Sequence, residues 1–426
     1  MRKLASILFW SIISAAFIGP GTVTTAASAG SGFGFDLLWA LIFSTIACLV
    51  LQEAAARITI VSGMPLGRAL AQQYAGQTSR LLVLLLVVGA IIIGCAAYEA
   101  GNILGGAAGA ALGTSLPAEL LSIFIVVAAG MLLWFGSIRF VALALGGVVA
   151  LMGFAFLATA VMLAPDLTAV ARGALLPALP AGASLLVLGL VGTTVVPYNL
   201  FLGSGIAGSS SLTEMRFGLS IAIVLGGVIS MAVLIVGTAV PVPFSFASLQ
   251  KILHDAGGQW WAFLFAFGLF AAGFSSAITA PMAAAVTARD LFGAGEQSWQ
   301  ERAWRYRMVW LAVLLTGLIF GLLGVKPIPV IILAQALNGI LLPFVSIFLL
   351  IIVNDRRIMG EAGLNSMLLN AVSGLVVLIT IVLGVLNLLK AGTTSPPGPL
   401  IFATAGAISV LITYPVVRKI RAVRQA

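Results

Sequence analysis

The polar residues of this chain that could do chemistry are few, and they sit inside apolar segments. Ser184–Ser204 reads SLLVLGLVGTTVVPYNLFLGS, a membrane-length run interrupted by Gly192-Thr193-Thr194 and Pro197-Tyr198-Asn199. A helix through it loses the amide proton of Pro197 and meets a ring clash one turn back. In lipid each freed carbonyl costs several kcal/mol, so the freed groups must face protein, a ligand or a water-filled cavity. A second interruption, Gly19-Pro20-Gly21-Thr22, lies near the amino terminus. Its carbonyls and the Thr22 hydroxyl, together with Thr193, Thr194, Tyr198 and Asn199 of the other break, make a candidate binding set. Gln335 and Asn338, three apart and therefore on one helical face, add two amides. Ser275, Ser276 and Thr279 add hydroxyls; many such groups only bond back to their own helix.

Glu99, in GCAAYEAGNILGG, is an acid with no basic residue within four positions. A lone carboxylate in an apolar span is costly and marks a functional site by default. It suits proton coupling; the bland alternative is a protonated acid bonded to Asn102 or a carbonyl. Glu53 is different: Arg57 follows at i+4 on the same face, as expected of a structural pair.

The elements that must position these groups are transmembrane helices. Of 426 residues 61% are hydrophobic and 8% charged, against about 25% charged in a soluble domain. The apolar runs are continuous, unlike the alternating strands of an outer-membrane barrel, and no cleavable signal peptide stands out. Runs of membrane length fall near 5–31, 36–61, 80–112, 117–135, 138–164, 184–207, 216–240, 259–288, 305–324, 328–352, 365–389 and 397–417. With twelve spans and the amino terminus inside, 17 of the 21 basic residues fall on the cytoplasmic side. Only Arg172, Lys251, Lys326 and Lys390 lie outside. This obeys the positive-inside rule and puts both termini in the cytoplasm of an inner (plasma) membrane protein. The net charge of +9 is therefore topological, and a nucleic-acid partner is not expected.

Spans one to five (1–164) and six to ten (184–352) each open with a broken helix, about 175 residues apart. An odd repeat of five inverts the second copy, the arrangement of LeuT-type transporters. Spans eleven and twelve (365–417) fall outside the repeat. The expected fold is thus an all-α polytopic membrane protein of LeuT type, five plus five inverted helices with two more at the carboxyl end. FASLQKILHDA, in the outside connection 241–258, fits an amphipathic surface helix. His254 falls there and reads as a solvated side chain. Cys48 and Cys95 give no metal spacing and no expected disulfide. No nucleophile–base pair or cofactor loop is visible, so neither an enzyme nor a cofactor is expected.

GPGTVTTA, AYEAGNILGG, GTTVVPYNLFLGS and AQALNGILLPF, in this order, resemble the NRAMP divalent-metal transporters, and more closely their NRAMP-related branch. The resemblance covers spans one to ten and implies the LeuT fold, alternating access and, often, proton coupling. The departures lie at the ion site. The family's Asp-Pro-Gly-Asn is replaced around Gly19 and Thr22, and its Met-Pro-His-Asn becomes Val196-Pro197-Tyr198-Asn199. Gly203 stands where a second histidine often sits. Glu99 matches the last acid of the third-span motif, but Ala96 holds the other acidic position. Divalent ions that shed their water need charged or soft ligands. The expected cargo is therefore a small neutral polar solute, a sugar such as glucose leading. It would be carried with protons through Glu99 and bound at Gly19, Gly21, Thr22, Thr194, Val196, Tyr198, Asn199, Gln335 and Asn338. Small residues at Gly19, Gly21, Gly203 and Ala334 would make room for it. The alternative is a divalent cation, Mg²⁺ or Mn²⁺. The oligomeric state is not readable from the sequence.

Overall fold

The computed structural model describes residues 18–425 apart from 77, 79, 137, 210, 294, 295 and 390–397. Its elements are helices joined by short connections. In chain order they are α1 (Pro20–Phe33), α2 (Leu38–Ser62), α3 (Leu66–Gln73), α4 (Arg80–Ala111), α5 (Ala118–Phe135), α6 (Ile138–Met162), α7 (Leu167–Leu175), α8 (Ser184–Thr194) and α9 (Pro197–Ile206). There follow α10 (Leu212–Gly237), α11 (Phe246–Gly257), α12 (Gln259–Phe292), α13 (Trp304–Leu322), α14 (Pro327–Ile352), α15 (Arg356–Gly363), α16 (Met367–Leu389) and α17 (Pro399–Gln425).

Among the described residues, eleven segments are long and apolar enough to cross a membrane, with α8 and α9 counted as one. They coincide with spans two to twelve of the sequence reading. Of the first span, α1 is seen, and the part up to residue 17 lies outside the described residues. The ends follow local chemistry. Pro20, Pro197 and Pro327 stand at first helical positions, where a missing amide proton costs nothing. Gly63 and Gly136 close α2 and α5 in the left-handed conformation that a glycine adopts without strain. Ser211 and Glu214 form a capping box at the start of α10.

Two long helices make the frame. α12 has 34 residues and α4 has 32, about 51 and 48 Å at 1.5 Å per residue. They pack almost backbone to backbone. A Cβ on Gly273 would lie 2.5 Å from the Gly106 Cα, and one on Gly109 would lie 2.5 Å from the Phe270 amide nitrogen. Small residues at such a seam supply the dispersion contact that holds helices together in lipid, where apolar burial drives nothing.

α8–α9 is the centre of the bundle: 89% of its most apolar window is buried, against 11% for α17. The last helix is therefore peripheral. On the surface, α11 is amphipathic as expected. Phe246, Leu249 and Leu253 are buried, Ser245 caps the start by accepting from the Ser248 amide, and His254 is solvated beside Asp255.

Candidate functional site

The α8–α9 break is made by its own residues. The last bond of α8 runs from the Val195 amide to the Val191 carbonyl at 2.9 Å. Val195 and Val196 then leave helical geometry, with ψ of 77° and 120°, and Pro197 starts α9. The carbonyls at the end of α8 and the amides at the start of α9 have no intrahelical partners, and the opposed helix ends bring negative and positive partial charge to one place. α1 begins in the same way. Gly19 is extended, no side chain caps the helix, and Pro20 occupies the first turn. Everything from Pro20 to Gly30 is buried.

The two breaks meet. The Thr22 and Thr193 hydroxyls lie 2.8 Å apart across 171 residues of chain. Gln335 of α14 fits against α1, where a Cβ on Gly21 would overlap its amide. At Gly192 the α8 backbone touches the Gln335 carbonyl and the Gly339 amide, so that position has no space for a side chain. Tyr98 of α4 and Tyr198 of α9 meet edge to face, ring centres 5.4 Å apart at 80°. The Tyr98 hydroxyl points toward Thr193 and Tyr198 without closing a hydrogen bond to either. A Cβ on Gly19 would stand 3.4 Å from Ser276 Oγ and 3.7 Å from that same tyrosine hydroxyl. Asn199 anchors α9 through its backbone, its carbonyl accepting from Gln52 Nε2 at 3.0 Å, while both polar atoms of its side chain stay unpaired.

Further buried oxygens also lack partners: Thr24, Thr25, Ser276, Tyr198 and Gln335 Oε1. Folded proteins pair nearly all buried polar groups, and each one left over costs about 1–3 kcal/mol. A concentration of them at two helix interruptions is the signature of a place built to meet a polar ligand.

Not every expected residue faces it. Thr194 turns its hydroxyl back to the Leu190 carbonyl at 2.9 Å, and Val196 contributes buried apolar surface. Asn338 donates to Ala334 of its own helix at 3.3 Å, and its carbonyl oxygen faces Gly94 on α4. Glu99 is fully buried. One of its oxygens accepts from Asn102 Nδ2 at 3.2 Å, the other is unpaired, and its Cγ packs toward Gly317 on α13. Since successive residues on a helix diverge by about 100°, Tyr98 looks into the cluster and Glu99 looks beside it. Thr193 and Ser276 are among the hydroxyls read from the sequence, though not among the nine residues expected to bind; Tyr98 and Gln52 were absent from that reading. Tyr98 was findable as a polar group in an apolar helix; nothing in the sequence pointed to Gln52.

Toward the carboxyl end of α2, Arg57 is paired with Glu53 as expected, at 3.1 Å. It also donates to the Gly363 carbonyl at 2.5 Å and to Asn365 Oδ1. Arg216 of α10 shares Glu53 at 2.8 Å. Among the described residues no three His, Cys, Asp or Glu side chains converge as a metal cluster.

The chain can now be set beside known proteins. Residues 11–390 match the profile of the family described as natural resistance-associated macrophage protein-like (Nramp). It is 27% identical over 387 residues to the divalent metal cation transporter MntH of Deinococcus radiodurans, covering 84% of each chain. It is also 27% identical to the MntH of Acidiphilium cryptum, over 91% of each. The crystal structure of the Eremococcus coleocola manganese transporter superposes with a TM-score of 0.71 at 21% identity, covering 99% of this chain and 94% of that one.

These likenesses overturn the expectation of a neutral organic solute with a sugar as its leading example. The relatives that match over most of their length are named for divalent metal. The geometry explains the error. Of the four small residues expected to leave room, three are packed: Gly21 is covered by the Gln335 amide, Ala334 lies against Gly101, and Gly203 is buried within α9.

Proposed function

The chain belongs to the Nramp family, and from that premise we propose that it is a secondary transporter carrying a divalent metal cation, Mg²⁺ or Mn²⁺, by alternating access. Members of this family are transporters, so the chain is not an enzyme, and it is an integral membrane protein. The observation that carries the reading to a site is the gathering of unpaired buried oxygens where α1 and α8–α9 are interrupted. The groups are hydroxyls and amides, with no thioether and no imidazole. Such a set suits a hard cation that keeps part of its water shell, whose waters donate to the Thr24, Ser276, Tyr198, Asn199 and Gln335 oxygens.

In this reading Gly19, Gly21, Thr22, Thr193, Tyr98, Tyr198, Asn199 and Gln335 form the binding place, with the α8 carbonyl end supplying negative partial charge. Thr194, Val196 and Asn338 shape it. Glu99 takes up the coupling proton, one residue from the tyrosine that touches the site. The two repeats are assigned to 1–164 and 184–352, with 365–417 outside them. Both termini are assigned to the cytoplasmic face of the plasma membrane, on the distribution of basic residues.

The test is uptake into proteoliposomes loaded with a Mn²⁺- or Mg²⁺-sensitive dye. Saturable flux of at least one ion is expected, faster with the outside acidified. Absence of flux for both ions, from protein whose fold and insertion are verified, would overturn the proposal.

A further inference from the structure

At the periphery of the bundle, α17 leaves a cavity of about 410 Å³ between itself, α16 and the end of α14. Its walls are mainly apolar, formed by Leu350, Val377, Ile381, Val417 and Ile420 with Asn370 and Thr413 between them, and Arg421 and Arg424 line one end. A Cβ added at Gly374, which also lines it, meets nothing within 4 Å.

The depth of the groove is that of one leaflet. From Thr413 to Arg424, both lining residues, eleven helical rises of ~1.5 Å give about 16 Å, and half of a ~30 Å hydrocarbon core is about 15 Å. The arginine end is held in place. Arg424 Nη2 donates to the Asn365 carbonyl at 2.6 Å, and Lys419 lies over the Tyr74 ring. Its charge is uncompensated. No Asp or Glu occurs after Glu361, while Arg418, Lys419, Arg421 and Arg424 crowd the end of the chain. Asp355 and Glu361, the acids nearest in sequence, are engaged by Arg357 and Arg356. Among the described residues neither Arg421 nor Arg424 has a carboxylate partner.

We propose that this groove is a binding site for an anionic phospholipid of the cytoplasmic leaflet, one acyl chain lying between α16 and α17 and the phosphate received by Arg421 and Arg424. An apolar slot of leaflet depth under guanidinium groups that have no carboxylate partner matches such a lipid in both shape and charge. A zwitterionic lipid would bring its own cation against the arginines. Guanidinium is also the side chain best suited to bidentate phosphate binding. The inference takes its orientation from the basic-residue distribution and is independent of the cargo.

Native mass spectrometry of the full-length protein, released from micelles doped with phosphatidylglycerol or phosphatidylcholine of the same acyl chains, tests it. One phosphatidylglycerol is expected to be retained per chain in preference to phosphatidylcholine. Arg421→Gln and Arg424→Gln are each expected to weaken retention about fivefold, since a basic residue at an anionic surface contributes ~1 kcal/mol. Gly374→Leu fills the slot while leaving the arginines, and is expected to lose the lipid as well. Equal retention of the two lipids would overturn the proposal. So would unchanged retention in the arginine variants, or in Gly374→Leu, where surface charge alone would then be the explanation. A lipid-free dimer in place of the lipid-bound chain would mean that a second copy covers the groove.

Discussion

A carboxylate and a tyrosine that are chain neighbours divide the work at the centre of this protein. Tyr98 contacts Tyr198 and reaches the beginning of α1, whereas Glu99 is turned toward Gly317 and held by Asn102. Glu99→Gln keeps an oxygen for Asn102 to donate to and removes the proton site. Uptake at acidic and neutral outside pH, compared in proteoliposomes, should then differ by a factor near one, where the native protein is faster in acid. Thr193→Val deletes the bond to Thr22 and should raise KM for the ion more than it lowers kcat. The loss of one buried hydrogen bond should cost about 1 kcal/mol of stability. Arg57→Ala strands Asn365 and the Gly363 carbonyl and leaves Glu53 to Arg216 alone. Breaking a buried pair in this way costs about 3 kcal/mol, read as a lower melting temperature in detergent. Much of this scale was hidden in the sequence. Thr193 and Thr194 are adjacent and chemically identical, yet one bridges to α1 and the other bonds back to its own helix. Only the rotation of α8 against its neighbours decides which, and that is a tertiary fact.

The helices themselves were far more legible. A proline has no amide proton, so the interruption at Pro197 could be read with no knowledge of its surroundings, and the α8–α9 boundary falls there. The amphipathic α11 was visible for a similar reason: its apolar residues recur at helical spacing in a polar stretch. Glycines misled in one instance. Those at the breaks suggested space for a ligand, but the place of the Gly21 side chain is taken by Gln335 of α14. Close packing of this kind is itself testable. Gly192→Ala places a methyl group into the α14 backbone, and Gly273→Ala places one into Gly106. Each should destabilise by about 1–3 kcal/mol or more, whereas Gly374→Ala, facing open space, should leave the melting temperature unchanged.

Across the whole molecule, topology and cargo obeyed different evidence. Continuous apolar runs interrupted at two matching places were enough for the class of fold, because the bilayer imposes the runs. A cysteine introduced near Arg421 should be modified by an impermeant reagent only from the cytoplasmic side, and one near Arg172 only from outside. The cargo was misread because the side chains most typical of a metal site are missing, and a sequence does not reveal that hydroxyls and amides are left unpaired around the gap. One consequence follows from the Thr22–Thr193 contact, in which either hydroxyl can be the donor. A hydrated ion arriving between them offers the accepting hydroxyl a water proton and the donating hydroxyl a water oxygen in return for the bond withdrawn. In the transport reading proposed above, the clasp then opens by a one-for-one exchange of partners, nearly neutral in free energy, and the two broken helices part only when something wet and charged is there to take the place of their bond.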